Sequence, residues 1–142
     1  MAKSLIDYNS NFKTASSQKV VLIRPPSIVS RFAVAAPLVP PLGLVYIAAT
    51  LRDAGHHVQV IDAVGENLDH PTFIGKTMLL RGLPFEEIAK HVKGTPDVIG
   101  VSCMFSSEWP WAHRVVKDMR VAFPMQRLSW EANILRPPPN KA

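Results

Sequence analysis

A few residues carry the side chains or the backbone freedom that a ligand site needs, and each falls at the end of a predicted strand or helix. Asp62 ends a predicted strand, where its carboxylate can accept a hydrogen bond from a ligand hydroxyl or cap the following loop. Gly43 stands at a predicted helix start, where the missing side chain lets a ligand approach the backbone, or where it simply begins the helix. Ser102 and Ser106 bracket the end of a third strand, and Ser106 or Ser107 can instead cap the next helix.

Residue types that often perform catalysis are arranged unfavourably for it. The one cysteine, Cys103, excludes an internal disulfide and an iron–sulfur cluster held by this chain alone, and its apolar setting predicts a buried structural thiol. His56 and His57 are adjacent, so on a strand they face opposite ways and do not share a metal. Trp109 and Trp111 begin a helix, where they either shield a planar ligand or pack in the core. No glycine-rich dinucleotide or triphosphate loop is present.

The elements that must position these residues alternate between strand and helix. Continuous β-branched and apolar runs predict strands at 19–24, 57–62 and 97–104. Apolar residues at helical spacing predict helices at 43–54, at 85–92 and from about 107 to 122. This order predicts an α/β fold, a Rossmann-like parallel sheet with flanking helices in three layers. Ligands of such sheets lie beyond the carboxyl ends of the strands, which here means loops 25–41, 62–66 and 103–109.

The alternation stops after Pro124. Residues 125–142 do not read as the expected fourth strand, and they predict an atypical tail of the kind a truncated or frameshifted gene product would carry. A sheet of about three strands is then expected, with an unpaired edge that favours self-association. The division predicted is a flexible segment at 1–18, a partial domain at 19–124 and the tail.

Composition limits the classes of protein and partner. The chain has 142 residues, of which 47% are apolar and 19% charged, as suits one small globular domain. No apolar stretch is long enough to cross a bilayer, and no secretory signal is apparent, so the cytoplasm is the expected compartment. The net charge of +5 comes without a basic run interleaved with aromatic residues, so neither nucleic acid nor membrane is an expected partner.

Three segments together resemble one family: residues 20–26, residues 40–56 and residues 58–63. The most specific is the Pro-Pro-Leu-Gly-Leu block that begins at Pro40, with its Leu-Arg-Asp-Ala-Gly-His ending. The chain from 19 to 124 is similar to the N-terminal cobalamin-binding domain of cobalamin-dependent radical S-adenosylmethionine enzymes. That group includes methylases and the anaerobic magnesium-protoporphyrin cyclase type. Residues 97–106 fit as the third strand and loop.

The resemblance implies cobalamin as the ligand, with the corrin ring across the carboxyl edge of the sheet and the nucleotide tail between strands and helices. The block after Pro40 would approach the corrin, and the hydroxyls four residues apart after the third strand would bind the tail. The cofactor-binding residues expected are Pro41, Leu42, Gly43, Leu44, Asp62, Ser102, Met104, Ser106 and Ser107.

Departures from the wider pattern limit what the chain is expected to do. The loop at 25–33 has no histidine, so cobalamin is expected to bind without a protein histidine ligand to cobalt. The Cys-x-x-x-Cys-x-x-Cys motif is absent, so the iron–sulfur cluster and S-adenosylmethionine are expected only in full-length relatives, and the chain is not expected to be catalytic alone. The alternative is a non-catalytic Rossmann-like fragment or interaction domain with no ligand.

Overall fold

The structure is a computed structural model that describes residues 16–33 and 39–131, with side chains described as far as Arg127. Residues 1–15 of the predicted flexible segment and residues 132–142 of the predicted tail lie outside the described residues. The elements in chain order are β1 (Lys19–Arg24), β2 (Ser27–Ser30), α1 (Leu42–Asp53), β3 (His57–Asp62), β4 (Thr72–Ile74), β5 (Met78–Arg81), α2 (Phe85–Ile88), β6 (Val98–Ser102), α3 (Trp109–Ala122) and β7 (Arg127–Glu131).

A parallel sheet forms the centre of the domain, in the strand order β3-β1-β6-β7. The two inner strands are the most apolar, and β1 is buried from Val20 to Ile23. Parallel pairing aligns the carboxyl ends of the strands, and Arg24 at the end of β1 lies opposite Asp62 at the end of β3. The predicted Rossmann-like α/β fold is confirmed, and β1 and β3 have the predicted bounds.

Helices cover both faces of this sheet, because side chains alternate along each strand. Val20 and Leu22 pack against Leu44 of α1 on one face. Val21 and Ile23 belong to a larger cluster on the other face, where α2 and α3 pack. The three-layer arrangement is therefore confirmed. None of the helices in the described ranges is long and apolar enough to span a membrane.

The expectation of an incomplete sheet of about three strands is wrong. β7 pairs in parallel with the whole of β6, from Val98 opposite Arg127 to Ser102 opposite Glu131. The chain from 127 to 131 alternates polar and apolar residues. That pattern suits an outer strand, which lacks the apolar run of an inner strand. β6 is therefore paired on both sides, and self-association through an exposed sheet edge stays a prediction.

A second, smaller sheet was not predicted. β2, β5 and β4 form an antiparallel sheet in that order. The sequence predicts a loop around β2 and no strand or helix at 66–83, where β4 and β5 lie. The strands are three or four residues long, and β2 pairs with β5 across about fifty residues, Ile28 opposite Leu80. Leu80 is buried and Ile28 packs against the larger core cluster, so this sheet is anchored to the main sheet.

The start of α3 also differs from the prediction. A short 3-10 turn occupies Ser106–Glu108, and α3 begins at Trp109 with Glu108 as its N-cap residue. The N-cap residues of the turn and of α3 are Phe105 and Glu108, and neither makes a side-chain cap hydrogen bond, so the predicted serine N-cap is wrong. The shifted start places Ala112, Val115 and Met119 in the core and leaves Ala122 exposed.

Candidate functional site

A cleft of about 470 Å³ opens at the carboxyl edge of the parallel sheet. It lies where β1 and β6 end and where α1 begins, which is the position that parallel α/β sheets use for ligands. Its wall consists of Arg24, Pro25, Pro26, Ser27, Val39, Pro40, Pro41, Gly43, Leu44, Val64, Ser102, Cys103, Met104, Phe105 and Glu108.

The cleft wall is mostly apolar, and several of its apolar side chains are open to solvent. Met104 is 76% exposed, Phe105 60% and Val39 56%. Exposed apolar side chains gathered around a concave site are typical of a surface that a ligand or partner covers. The cleft can therefore hold a large, partly apolar molecule.

Five of the predicted cofactor-binding residues meet in this wall: Pro41, Gly43, Leu44, Ser102 and Met104. They come from the start of α1 and from the end of β6 with its following loop. Leu42 is 59% exposed outside the wall. Ser106 and Ser107 lie in the exposed 3-10 turn and do not line the cleft. Asp62 stands beside the wall without belonging to it.

Gly43 leaves open space where other residues would place a side chain. A Cβ built at Gly43 would meet no heavy atom within 4 Å. The residue before α1 is Pro41, and no described side chain caps this helix end. The N–H groups of Gly43 and Leu44 lie in the first helical turn, where no intrahelical acceptor exists, so they can donate to a bound molecule.

Arg24 and Asp62 form an ion pair beside the cleft. Nη1 of Arg24 lies 3.4 Å from each carboxylate oxygen of Asp62, and the two side chains are 25% and 26% exposed. The sequence predicts Asp62 as a ligand contact or a loop cap. In the structure its carboxylate pairs with the Arg24 guanidinium at the edge of the cleft, and the ligand contact stays a prediction. The sequence analysis did not predict Arg24 as a site residue. Its position, as a cation at the end of a central strand, could have indicated one.

Cys103 lines the cleft but is not set up as a nucleophile. Its thiol is half-buried and donates to the Phe105 carbonyl oxygen at 3.4 Å. Burial, with a smaller contribution from the Glu108 carboxylate, raises the pKa of Cys103, so the thiol stays protonated near neutral pH. The predicted tryptophans lie outside this wall: Trp109 stacks on His113 at 5.5 Å, and Trp111 packs against Phe85 at 6.4 Å.

A second, smaller groove of about 230 Å³ lies next to the cleft, on the sheet face beside α1. Leu44 and Ser102 line both spaces. The groove passes between Ile47 and Leu51 of α1 and the face of β6 that carries Val98 and Gly100. Its wall is apolar along most of its length, and the Ser102 hydroxyl lies at the junction with the cleft.

Histidine is missing from the described wall of the cleft, and His56 lines the far end of the groove. Its Nδ1 accepts a hydrogen bond from the Gln18 N–H at 3.2 Å. Within residues 16–33 and 39–131, no three His, Cys, Asp or Glu side chains are grouped as metal ligands.

Comparison with known proteins agrees with this geometry. The family model described as "B12 binding domain" matches residues 29–125. The chain is 34% identical over 108 residues to cytidylyl-2-hydroxyethylphosphonate methyltransferase of Streptomyces wedmorensis, covering 74% of this chain and 20% of that protein. It is 31% identical over 100 residues to an uncharacterized methyltransferase of Pyrococcus horikoshii, covering 70% and 18%. The chain thus spans about a fifth of these relatives. No solved structure matches it at comparable significance.

Proposed function

Because the chain belongs to the B12-binding domain family, we propose that its cleft and groove together bind cobalamin for a methyltransferase. The observation that carries the proposal is that Leu44 and Ser102 line both spaces, which are therefore neighbours. The larger cleft suits the corrin ring, and the smaller, mostly apolar groove suits the flat base of the nucleotide tail. Bound cobalamin supplies a cobalt centre that carries a methyl group or an electron.

The residues of the cleft would hold the ring by close approach and by covering it. Gly43 leaves room for the ligand against the start of α1, and the N–H groups of Gly43 and Leu44 can donate to its amide oxygens. The side chains of Met104, Phe105 and Val39 face solvent in this structure. They would cover apolar surface of the bound ring and so exclude water from it. None of these groups needs to change protonation state.

The groove would hold the nucleotide tail between α1 and β6. Gly100 faces this groove together with Val98, and its missing side chain widens the space. The Ser102 hydroxyl at the junction can donate to an oxygen of the tail or accept from an amide of the ring. Ser106, expected from the resemblance to act with Ser102, is exposed in the 3-10 turn and does not line the groove.

We further propose that the methyltransferase is of the radical S-adenosylmethionine class. The sequence resemblance at 20–26, 40–56 and 58–63 supports this class. The names of both relatives support a methyltransferase and say nothing of its class. The iron–sulfur cluster and S-adenosylmethionine would then be bound by a separate catalytic domain, and the cobalamin-binding domain would act together with that domain. A chain that carries this domain, or one that co-purifies with it, should contain the three-cysteine motif and bind iron; a partner without either would contradict the class.

Mixing the purified chain with hydroxocobalamin tests the central proposal. The corrin absorbance should shift and co-elute with the protein on gel filtration, with a dissociation constant in the micromolar range or below, about −8 kcal/mol. Bovine serum albumin at equal concentration controls for non-specific adsorption. Cobalamin that elutes free at high micromolar protein would instead support the alternative of an interaction domain with no ligand.

A substitution that fills the groove should weaken binding of the nucleotide tail without affecting binding of the corrin ring. We expect Gly100→Val to weaken cobalamin binding by about tenfold, because a valine side chain would occupy part of the groove. Cobinamide, which has the ring without the nucleotide base, should bind the variant and the parent chain equally. Isothermal titration of both corrinoids makes the comparison. An equal loss for the two ligands would contradict the placement of the tail.

A further inference from the structure

Two charged side chains, Arg24 and Glu108, stand among the described residues of the cleft wall. The other members of that wall are apolar or carry a hydroxyl or thiol. Arg24 comes from the end of β1, and Glu108 from the residue that precedes α3. Charged groups in an apolar cleft have large effects on which ligand binds, since less water screens them there than at an open surface.

Three charged residues, Arg24, Asp62 and Glu108, together carry a net negative charge. Arg24 is offset by Asp62 at 3.4 Å, whereas Glu108 makes no ion pair within the described residues. The carboxylate of Glu108 lies near enough to the cleft wall to raise the pKa of Cys103. One positive and two negative groups leave a formal charge of −1, which disfavours a ligand whose own side chains are carboxylates.

The hydrogen-bonding capacity of the same two residues suits a neutral group. Arg24 uses Nη1 for Asp62, which leaves the N–H groups on Nε and Nη2 to donate to a ligand oxygen. Glu108 has carboxylate oxygens that can only accept. A primary carboxamide presents one carbonyl acceptor and one NH₂ donor, whereas a carboxylate presents acceptors alone. The pair therefore matches carboxamides in both directions.

We propose that Arg24 and Glu108 make the cleft selective for amidated corrinoids over corrinoids with free carboxylates. This inference rests on the proposed function, because it assumes that a corrinoid occupies the cleft. Arg24 donates to an amide oxygen, Asp62 positions the guanidinium, and Glu108 accepts from an amide NH₂ and repels carboxylates. The domain would thus reject incompletely amidated forms of its own ligand.

Two corrinoids that lack the nucleotide base test the proposal without involving the groove: dicyanocobinamide, which is amidated, and dicyanocobyrinic acid, which has free carboxylates. Dissociation constants are measured by corrin absorbance with the full chain. The parent should prefer cobinamide. Glu108→Gln should strengthen cobyrinic acid binding about fivefold or more by removing a repulsive charge. It should not strengthen cobinamide binding, because the glutamine oxygen is a weaker acceptor for an amide NH₂ than the carboxylate.

Arg24→Gln should act in the opposite direction. It removes a donor and leaves the Asp62 charge unbalanced, so cobyrinic acid binding should fall more than cobinamide binding. Arg24→Lys, which keeps the charge, should restore much of the cobyrinic acid affinity. Asp53→Asn is the matched control, because it removes one negative charge from an exposed residue at the other end of α1. It should change neither constant.

The outcomes separate the two proposals. If the parent chain binds neither cobinamide nor cobalamin, the proposed function fails, and the selectivity falls with it. If cobinamide binds but Glu108→Gln leaves the ratio of the two constants unchanged, cobalamin binding stands and the selectivity is overturned. Circular dichroism spectra of each variant that overlay the parent spectrum establish that the comparison is between folded proteins.

Discussion

Gly43→Leu is expected to weaken cobalamin binding by roughly tenfold to a hundredfold without unfolding the domain. Gly43 lines the cleft at the start of α1, and a Cβ there meets no heavy atom within 4 Å. A leucine side chain would therefore occupy space that the unliganded chain leaves open. The loss should be measured as a dissociation constant from the corrin absorbance shift.

The stability of the same variant should be unchanged or slightly greater. Glycine in a helix is less favourable than leucine by up to about 1 kcal/mol, and the effect is smaller in the first turn. Since a Cβ at Gly43 meets no heavy atom within 4 Å, the leucine side chain begins in open space. A loss of binding together with an unchanged melting temperature would assign the effect to the cleft, whereas a lowered melting temperature would count against this account.

Two variants calibrate the result. Gly43→Ala should weaken binding by less than leucine does, because it adds one methyl group at the same place. Val45→Phe adds bulk to the same turn of α1 at a residue that is 50% exposed and lines neither space. It should leave the dissociation constant unchanged. Equal losses for Val45→Phe and Gly43→Leu would show that the helix, not the cleft, had been disturbed.

Gly82→Ala is expected to destabilise the domain by about 2–5 kcal/mol. Gly82 has φ +113°, a conformation that side chains strain, and an added Cβ would collide with the Ala63 carbonyl oxygen and lie 2.8 Å from the Val64 Cα. The neighbouring Leu83 N–H donates to the same Ala63 carbonyl at 2.7 Å. Alanine would therefore push apart the junction between the small sheet and the end of β3.

Gly75→Ala provides a matched control for Gly82→Ala. Gly75 also has a positive φ, +63°, but a Cβ there meets no heavy atom within 4 Å. Alanine at position 75 should lower the free energy of unfolding by about 1–2 kcal/mol, which is the cost of holding a residue with a side chain at a positive φ. Urea denaturation followed by circular dichroism gives both free energies of unfolding. The account of the junction fails if the two substitutions cost the same.

The sequence alone determined the elements whose signals are local. Continuous apolar runs set the bounds of β1 and β3, and helical spacing closed by Gly55 set α1 to within one residue. Alternation of these elements was enough to predict the parallel sheet and the edge at which the site lies. Pro41, Gly43 and Leu44 of the cleft wall could be predicted from the sequence because they belong to one continuous block of it.

Tertiary structure decided what depends on pairing across the chain. β2, β4 and β5 are too short to have a clear local pattern, and β7 alternates as an outer strand does, so each becomes recognisable only through its hydrogen-bonded neighbour. The Arg24–Asp62 pair joins residues 38 positions apart, which the register of β1 against β3 places side by side. The groove is lined by α1 together with β1 and β6, segments that are distant in the sequence. Residue types predicted a site at this edge, but the packing of distant segments determined which side chains form its wall.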